Sequence, residues 1–458
     1  MREINDYRDK NVLVFGAGMS GTNAALLLVK LGANVTLTDA KPVAEIADYD
    51  RLLKAGVKVV AGSSPESLVE KADLMVKNPG IPYTVSLVQA ALRKPIPIIC
   101  EVELAAEISS APIVGVTGSN GKTTTTTMIS EMLTAGMSDG TAYRAGNIGI
   151  PATQVAERAT NRDQIVMELS SFMLLGITKL HPHIAVITNI YSNHLDYHKT
   201  RENYVAAKMQ ITKNQTERDF LVMNFDQPEW RKLSQQSKAL VVPFSAQGNY
   251  EDGAYQSRGK LYFRDEFIMN TADLKVSGEP NVENALAAIA VAKLSGVPND
   301  KIIEVLRTFS GVRHRNQYVL TAAGREFYND SKATDIEATQ MALTGMQKPV
   351  ILIAGGLDRG YTFEKLEPEF RDHVRGLVVY GETAELLKQA GNAAGVSDIK
   401  VVNNLDEAVS AAYDLSQPGD VVLLSPANAS WDQFASYEER GDRFIADVEK
   451  LTGQREEK

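Results

Sequence analysis

The feature that most restricts the fold is a glycine-rich turn between an apolar run and a helical pattern. The apolar run covers residues 113–116, the helical pattern covers residues 124–133, and the turn reads Thr117-Gly118-Ser119-Asn120-Gly121-Lys122-Thr123. A strand that turns tightly into a helix exposes successive backbone N–H groups at the positive end of the helix, where a lysine ammonium helps them bind phosphate. The sequence therefore predicts a phosphate-binding loop, with a glycine- and serine-rich turn that binds nothing as the alternative.

This predicted loop departs from the most common phosphate-loop pattern. In G-x-x-x-x-G-K-[ST] the first glycine would stand where Val116 stands, and the additional glycine here is Gly115. The departure disfavours GTPases and general ATPases, and it favours the T-G-x-N-G-K-T variant of amide ligases that use ATP to join an amino acid to a carboxylate. We predict that ATP contacts Gly118, Ser119, Asn120, Gly121, Lys122, Thr123 and Thr124. The Thr123 hydroxyl is placed to ligate Mg²⁺.

Composition limits the possible partners. The 458 residues are enough for about three domains. Acidic residues (57) outnumber basic residues (48), so there is no overall positive field for nucleic acid or anionic membranes. Cys100 is the only cysteine, which excludes internal disulfides and cysteine metal clusters. No stretch approaches the roughly 18 apolar residues of a membrane span. We expect a cytoplasmic enzyme, a monomer, without nucleic-acid or membrane partners.

Short apolar runs alternate with helical patterns, which predicts an α/β fold with mostly parallel sheets. Predicted strands of the first segment are residues 11–15, 34–38, 57–61, 74–76 and 96–99. Those of the second are residues 113–116, 165–168, 184–188, 220–224 and 240–243, followed by hairpins within 253–276 and helices over 282–295 and 301–309. Those of the third are residues 325–328, 350–354, 377–380, 400–402 and 421–424. The predicted domains are residues 1–110, 111–311 and 312–458.

A second glycine-rich turn follows the first predicted strand. It reads Gly16-Ala17-Gly18-Met19-Ser20-Gly21, and Asp39 ends the next strand. Glycines at this spacing with an acidic residue about 20 positions later form the dinucleotide fingerprint. Taken alone, this turn predicts NAD and an oxidoreductase.

Chemically active side chains follow other strands of the second segment. Glu168 ends a predicted strand at the edge that carries the phosphate loop, where a second Mg²⁺ ligand is needed beside Thr123. Residues 188–198 leave the same edge and include His194, which is either a ligand or a hydrogen-bonded loop residue. Lys208 lies on a predicted helix, and the residues around it indicate a solvated helix face.

The third segment has three polar clusters after its strands. One contains Asp330 and Lys332, which could reach a γ phosphate or an anionic substrate. A second, glycine-rich cluster contains Asp358, which could bind a ribose, and Arg359, which could bind a carboxylate. The third surrounds Ser430. Each cluster is a weak signal alone, since each is also an ordinary turn.

Taken in order, these motifs cover nearly the whole chain and resemble the Mur ligases, most closely the members that add D-glutamate. The resemblance is carried by TGSNGKT at 117–123, GNIG at 146–149, ELSSF at 168–172, HLD at 194–196, AAK at 206–208, GEPNVENALAA at 278–288, HR at 314–315, NDSKAT at 329–334 and LLSPANASWDQF at 423–434. The tripeptide-forming members carry an Asp-Asn-Pro-Arg signature that is absent here. Folylpolyglutamate synthetases and alanine-adding members lack the Ser-Pro-Ala-x-Ala-Ser stretch.

The resemblance implies a fold and an activity. The fold is α/β with three domains: a Rossmann-like N-terminal domain, a central phosphate-loop ATPase domain with a mostly parallel sheet, and a Rossmann-like C-terminal domain. The activity is ATP-dependent ligation of D-glutamate to UDP-N-acetylmuramoyl-L-alanine through an acyl phosphate, in peptidoglycan synthesis. The first glycine loop would then bind the UDP portion of the substrate rather than NAD. The alternatives are another Mur or folylpolyglutamate-type ligase, an NAD-dependent oxidoreductase, and a non-catalytic nucleotide-binding switch or partner-binding module.

The resemblance also implies roles for individual residues. Catalytic roles fall on Lys122, His194, Lys208, Arg315, Asp330 and Lys332. Beyond the phosphate loop, ATP would contact Asn281, Asn284, Arg315, Asp330 and Asp358. The substrates would contact Ser20, Thr22, Lys41, Asn78, Gly80, Asn147, Ser170, Thr334, Arg359, Ser430 and Tyr437. Two Mg²⁺ ions would be bound by Thr123, Glu168, His194 and Lys208, with Lys208 converted by CO₂ to a carbamate whose oxygens suit a hard cation.

Overall fold

The computed structural model describes residues 1–46, 48–191, 193–248, 250–276, 278–358, 360 and 362–457, with only the backbone of Asp196 and Glu337. The chain forms two compact units, Met1–Phe309 and Ser310–Lys458. The first unit contains two sheets and the second unit contains one. No helix of the described ranges is long and apolar enough to cross a membrane.

The first sheet is parallel throughout. Its strands are β1 Asn11–Phe15, β2 Asn34–Asp39, β3 Lys58–Ala61, β4 Leu74–Lys77 and β5 Ile98–Ile99, in the order β3-β2-β1-β4-β5. Its helices are α1 Met19–Lys30, α2 Tyr49–Lys54, α3 Ser86–Arg93 and α4 Glu101–Ile108, with 3₁₀ turns at Val43–Glu45 and Glu66–Val69. Strands β1 and β4 are apolar runs because helices cover both faces of the sheet.

The second sheet combines a parallel body with an antiparallel extension. Its strands are β6 Ile113–Thr117, β7 Ala142–Gly146, β8 Gln164–Glu168, β9 Ile184–Ile187, β10 Phe220–Asn224, β11 Leu240–Ser245, β12 Ala254–Ser257, β13 Lys260–Phe263 and β14 Glu266–Asn270. Their order is β14-β13-β12-β11-β10-β9-β6-β8-β7. The helices are α5 Lys122–Gly136, α6 Ala152–Arg158, α7 Ser171–Leu174, α8 Leu195–His198, α9 Arg201–Met209, α10 Pro228–Ser234, α11 Glu279–Leu294 and α12 Asn299–Thr308, with 3₁₀ turns at Gln210–Thr212 and Thr271–Asp273.

Helix α4 joins the two sheets of the first unit. It packs against α6, which also contacts α1. The buried Glu103 carboxylate accepts backbone N–H groups from Thr178 at 2.9 Å and Leu180 at 3.1 Å. Glu101 accepts the N–H of Thr153 at 2.5 Å. These bonds fix the helix after the first sheet to α6 and to the loop before β9.

The third sheet forms the second unit. Its strands are β15 Gln317–Ala322, β16 Arg325–Asn329, β17 Val350–Gly355, β18 Val374–Tyr380, β19 Asp398–Val401 and β20 Val421–Leu424, in the order β15-β16-β20-β17-β18-β19. Strand β15 is antiparallel to β16, and the other pairs are parallel. The helices are α13 Ile336–Thr344, α14 Glu367–His373, α15 Ala384–Ala394, α16 Leu405–Leu415 and α17 Tyr437–Thr452, with a 3₁₀ turn at Glu364–Leu366.

The predicted α/β class with mostly parallel sheets is confirmed, and so are the predicted hairpins, which are β12 to β14. The prediction omitted β7 and β15. Both lie at the edge of a sheet, where one side of the strand lacks a neighbour. The sequence of β7, AYRAG, lacks the run of large aliphatic residues that identified the central strands, whereas that of β15, QYVLTA, contains the short run Tyr-Val-Leu, which was a usable signal.

Candidate active site

The phosphate loop lies between β6 and α5, as the sequence predicts. Gly118 and Gly121 have φ angles of +152° and +77°. A Cβ atom built on Gly118 would lie 1.8 Å from Thr188 Oγ1, and one on Gly121 would lie 2.2 Å from Asn284 Oδ1. Glycine is therefore required at both positions for conformation and for space.

Neighbouring side chains hold the backbone of this loop. Asn189 Oδ1 accepts the N–H of Asn120 at 2.8 Å, and Thr188 Oγ1 donates to the carbonyl of Asn120 at 2.6 Å. Ser119 Oγ accepts the N–H of Tyr191 at 2.9 Å. Sequence analysis assigned no role to Asn189, although its place two residues after β9, at the same sheet edge, was a usable signal.

We predict that Gly121→Ala destabilises the protein and weakens ATP binding at least about tenfold. The new methyl group would force Asn284 to move. Asn284 Oδ1 would then lose the hydrogen bond that Thr125 Oγ1 donates to it at 3.1 Å. The matched control is Gly259→Ala. Gly259 also has a positive φ, +71°, but no atom lies within 4 Å of its built Cβ. The control should lose only the roughly 1–2 kcal/mol of conformational strain. Thermal melting and ATP calorimetry measure both effects, and equal losses in the two variants would contradict the prediction.

Lys122 begins α5 and folds back over the loop. Its Nζ donates to the carbonyls of Gly118 at 2.9 Å and Ser119 at 2.7 Å. Thr123 is buried, with 2% of its surface exposed, and Thr124 is half-buried. The ammonium thus lies at the mouth of the loop, where it can meet a phosphate.

Glu168 lies beside the loop because β8 pairs with β6 so that Glu168 is opposite Val116. Its carboxylate is buried, and Oε1 accepts the side-chain amide of Asn147 at 2.7 Å. Oε2 has no hydrogen-bond partner among the described residues. A buried carboxylate oxygen without a partner is costly unless a cation binds there. This oxygen therefore fits Mg²⁺, which prefers hard oxygen ligands.

The local sequence indicated that Lys208 lies on a solvated helix face. This is wrong, because only 1% of its surface is exposed. Helix α9 packs this side inward, and Nζ donates to the carbonyl of Gly118 at 2.7 Å. Burial and the nearby charge of Lys122 hold the pKa of Lys208 well below its usual value, against the opposite effect of Glu168. Lys208 is thus part of the phosphate-loop site.

Tyr204 is a residue of this site that the sequence analysis missed. Its hydroxyl lies 2.8 Å from Ser119 Oγ, and its ring centre lies 4.7 Å from Lys208 Nζ. The i,i+4 spacing of Tyr204 and Lys208 puts both on one helix face, which was the available signal. Tyr204 fills the space between the lysine stem and the loop.

His194 is exposed. Its ring centre is 4.9 Å from that of Phe172 and 6.4 Å from that of Tyr204. Across the described ranges, no three His, Cys, Asp or Glu side chains converge on one point. His198, the second histidine of residues 188–198, received no role from the sequence; its buried Nε2 lies 2.9 Å from Ser171 Oγ. Ser170 caps α7 by accepting the N–H of Met173.

Two of the residues predicted to contact ATP lie on α11. Asn284 is buried, and its Nδ2 lies 3.5 Å from Asn281 Oδ1. Asn281 is half-buried. The structure thus brings Asn284 directly against the phosphate loop, with Asn281 one turn earlier on the same face.

The first glycine loop lies between β1 and α1. Asp39 Oδ2 accepts the N–H of Ala17 at 2.6 Å, and Oδ1 accepts the N–H of Lys41 at 2.9 Å. Thr22 is buried and donates to the carbonyl of Ala17 at 3.3 Å. Ser20 is half-buried and the Lys41 side chain is exposed. In this structure the acidic residue of the fingerprint binds the glycine loop itself.

The second unit places Asp330 at the end of β16. Its buried Oδ2 accepts the hydroxyl of Ser425 at 2.8 Å, and Oδ1 accepts the N–H of Asn316 at 3.0 Å. Burial raises the pKa of Asp330 to about 6, although Arg315 and these hydrogen bonds act in the opposite direction. Lys332 Nζ lies 5.5 Å from the ring centre of Tyr437. These residues form one polar cluster.

Three further residues of the second unit with predicted ligand contacts are Ser430, Thr334 and Asp358. This serine is buried, and its Oγ has no hydrogen-bond partner within the described part of the chain. Thr334 is half-buried, and its N–H donates to the carbonyl of Lys332. Asp358 is exposed and accepts the N–H of Gly360 at 2.7 Å. Arg359, predicted to bind a carboxylate, lies outside the described residues.

Arg440 is a further residue that the sequence analysis missed. It is fully buried, and its guanidinium donates to Ser331 Oγ at 2.9 Å and to the carbonyl of Asn428 at 3.0 Å. It therefore ties the loop after β16 to the loop after β20. An arginine within an amphipathic helix gave no signal of this contact, because exposed arginines have the same pattern.

Comparison with known proteins gives the family. The profiles of the Mur ligase middle domain, the Mur ligase glutamate ligase domain and the MurD-like N-terminal domain match residues 116–292, 314–428 and 10–100. The chain belongs to the Mur ligase family. Among Mur ligases, it is 58% identical over all 458 residues to the UDP-N-acetylmuramoylalanine–D-glutamate ligase of Lactiplantibacillus plantarum, with both chains fully covered. It is 51% identical to the enzyme of that name from Listeria monocytogenes, covering 98% of this chain and 99% of the other.

Solved Mur ligase structures share the fold. The UDP-N-acetylmuramate–alanine ligase of Thermotoga maritima matches with a TM-score of 0.58 and 20% identity, covering 96% of this chain and 99% of the other. The MurF ligase of the same organism, solved with ADP, gives a TM-score of 0.56 at 18% identity, covering 98% and 96%. At this identity the match supports the three-domain α/β fold and nothing finer.

Proposed function

We propose that the protein uses ATP to join D-glutamate to UDP-N-acetylmuramoyl-L-alanine in peptidoglycan synthesis. The observation that carries this proposal is the match, at 51% identity or more and along the whole chain, to the two ligases of that name. The geometry agrees, because Lys122, Glu168 and Lys208 meet at a phosphate loop. Such a site suits phosphoryl transfer to a carboxylate.

The proposed reaction has two steps. A carboxylate oxygen of the L-alanyl group attacks the γ phosphorus of ATP, so that a P–O bond forms and ADP leaves. The amine of D-glutamate then attacks the acyl carbon, loses a proton, and inorganic phosphate leaves. The first step brings two anions together, so cationic side chains must offset their repulsion. We assign this role to Lys122, Arg315 and Lys332, and we place Asp330 at the reacting groups.

We propose two Mg²⁺ sites. Thr123 and Glu168 would hold one ion, which fits the unpaired Oε2 of Glu168. His194 and Lys208 would serve the other. When bound, Mg²⁺ supplies positive charge that neutralises the phosphate oxygens. The residues of this chain orient the phosphates through the loop N–H groups and keep water away from the buried carboxylate.

We further propose that Lys208 reacts with CO₂ to form a carbamate. Only a neutral amine can attack CO₂, and burial favours that neutral form by lowering the pKa of Lys208. The product carries carboxylate-like oxygens, which suit Mg²⁺ better than an amine does. Attack of the neutral amine on CO₂ forms an N–C bond and releases one proton to solvent, and the cation of Lys122 would attract the resulting anion.

We propose the remaining contacts residue by residue. The UDP-sugar would be bound by Ser20, Thr22, Lys41, Asn78, Gly80, Asn147 and Ser170. The adenosine portion of ATP would be bound by Asn281, Asn284 and Asp358. D-glutamate would be bound by Thr334, Arg359, Ser430 and Tyr437, and the unpaired Ser430 Oγ supports a ligand there. We keep domain boundaries of 1–110, 111–311 and 312–458, and propose a cytoplasmic monomer without a nucleic-acid partner.

The test is phosphate release with defined substrates. We expect release only when ATP, UDP-N-acetylmuramoyl-L-alanine and D-glutamate are all present. L-lysine is the control acceptor and should give no product. The pocket would bind the side-chain carboxylate of D-glutamate with hydrogen-bond donors, and the side-chain amine of L-lysine would leave those donors unpaired. Equal turnover with L-lysine would assign the chain to a tripeptide-forming branch. Release without any acceptor would indicate an ATPase.

A further inference from the structure

Lys77 is a fully buried lysine at the end of β4 that the proposed reaction does not use. Its Nζ donates to the carbonyls of Asn78 at 3.0 Å, Pro79 at 3.1 Å and Ile81 at 2.7 Å. These carbonyls belong to the turn formed by residues 78–81. The ammonium is thus satisfied by one turn of backbone rather than by a carboxylate.

A buried ammonium costs free energy, which an apolar side chain at the end of a strand would avoid. The cost is offset here because the ammonium binds carbonyls that all point toward the inside of the 78–81 turn. The turn also has a hydrogen bond of its own, which the N–H of Ile81 donates to the carbonyl of Asn78 at 3.1 Å. Lys77 therefore fixes the conformation of this turn.

The 78–81 turn lies against the first glycine loop. A Cβ atom built on Gly16 would lie 2.8 Å from Asn78 Cβ, and one built on Gly18 would lie 3.3 Å from Asn78 Nδ2. Gly80 is exposed, and its N–H lies 3.3 Å from Asn78 Oδ1. The side of the turn opposite Lys77 thus completes the surface of the glycine loop.

A second donor reaches the same carbonyls from the other sheet. The hydroxyl of Tyr197, on α8, lies 3.4 Å from the carbonyl of Pro79 and 3.3 Å from that of Ile81. Both distances are long for O–H···O bonds, so this donor is weaker than Lys77. The Tyr197 hydroxyl further restrains the turn from the side of the second sheet.

We propose that Lys77 is a positioning residue that holds the 78–81 turn in the shape that binds the diphosphate and uridine of the UDP-sugar. The inference rests on the proposed function of the first glycine loop. Lys77 does not touch the substrate; it acts through Asn78 and Gly80. Losing its three hydrogen bonds frees the turn, so that ligand binding must order it again, and this lowers affinity for the UDP portion alone.

The test uses two variants of Lys77 and one control. Lys77→Met keeps the length and apolar stem of the side chain, and Lys77→Gln keeps two N–H donors. The control is Lys94→Met. Lys94 Nζ also donates to three backbone carbonyls of the first sheet's domain, those of Val69, Glu70 and Ala72, away from the glycine loop. UDP binding is measured by calorimetry, with NAD as the nucleotide control. Steady-state kinetics give the KM values for UDP-N-acetylmuramoyl-L-alanine and ATP.

We expect Lys77→Met to weaken UDP binding about tenfold or more and Lys77→Gln to weaken it less. The KM for the UDP-sugar should rise with the Kd of UDP, whereas the KM for ATP should change less than about twofold. Lys94→Met should bind UDP as the wild type does. No protein should bind NAD.

Different results would contradict the proposed function of the first glycine loop and the proposed role of Lys77. If the wild type binds NAD and not UDP, the proposed function of the first glycine loop is wrong. If the wild type binds UDP and both Lys77 variants bind it equally well, the inference is wrong. Loss of folding in both Lys77 variants, seen by circular dichroism, would limit Lys77 to stabilising the domain and would also contradict the inference.

Discussion

Replacing Lys122 by alanine will lower the rate of ligation by on the order of 10³-fold and leave the fold intact. The ammonium lies at the mouth of the phosphate loop, where charge develops as the γ phosphate is transferred. Its loss removes a cation from the transition state. The measurement is phosphate release under saturating substrates, with circular dichroism and thermal melting to check the fold.

The loop should keep its shape in this variant. The carbonyl of Gly118 accepts a hydrogen bond from Lys208 as well as from Lys122, and Asn189 and Thr188 hold the backbone of Asn120 independently. Lys301→Ala is the matched control, since Lys301 lies on α12 and pairs with Glu304 at 2.9 Å on a half-exposed surface. Near-normal turnover of Lys122→Ala would remove ATP activation at this loop from the proposed function.

The parts of the site that the sequence predicted are determined by short segments of the chain. The strand, glycine turn and helix around residues 117–123 are contiguous, so their contacts follow from neighbours in sequence. Glu168 was also accessible to prediction, because a carboxylate at the end of a parallel strand must lie at the same edge as the loop. Local pattern and sheet topology were sufficient in both cases.

The residues that sequence reasoning misplaced depend on tertiary packing. Lys208 looked solvated because its helix carries polar residues on several sides, and nothing local indicates which side faces the phosphate loop. Arg440 and Tyr204 were missed for the same reason.

The dinucleotide fingerprint raised a different difficulty. Its glycines fix a backbone shape that suits several nucleotides, and the Asp39 carboxylate binds the backbone of that loop.

The comparisons and the structure contribute different information about Lys208. Family resemblance alone suggested that this lysine is modified, and the structure adds the physical condition that the modification needs. The side chain is buried, next to a second lysine, and bonded to one loop carbonyl. A protonated amine is destabilised in such a place, whereas an uncharged amine is not, and the charge of Lys122 would attract an anionic carbamate. The chemistry of Lys208 can therefore be tested by substitution.

Replacing Lys208 by alanine will lower activity by at least about 100-fold, and arginine will not restore it. Arginine keeps a positive charge, which is the wrong sign for a metal ligand, and its larger head group does not fit beside Gly118. Formate or acetate should restore part of the activity of Lys208→Ala by placing a carboxylate in the vacated space. Lys301→Ala, on an exposed helix face, should respond to neither addition.

Removing CO₂ provides an independent measurement on the unmodified sequence. Carbamate formation is reversible, so degassed buffer should slow the wild type and bicarbonate should restore it, while Lys208→Ala should respond to neither. A ¹³C resonance from labelled CO₂ should appear with the wild type and be absent from both variants. Full activity of Lys208→Arg, or wild-type activity that is indifferent to CO₂ with no labelled adduct, would exclude the carbamate. Lys208 would then act as a buried hydrogen-bond donor to the carbonyl of Gly118, and its role would be to hold the phosphate loop.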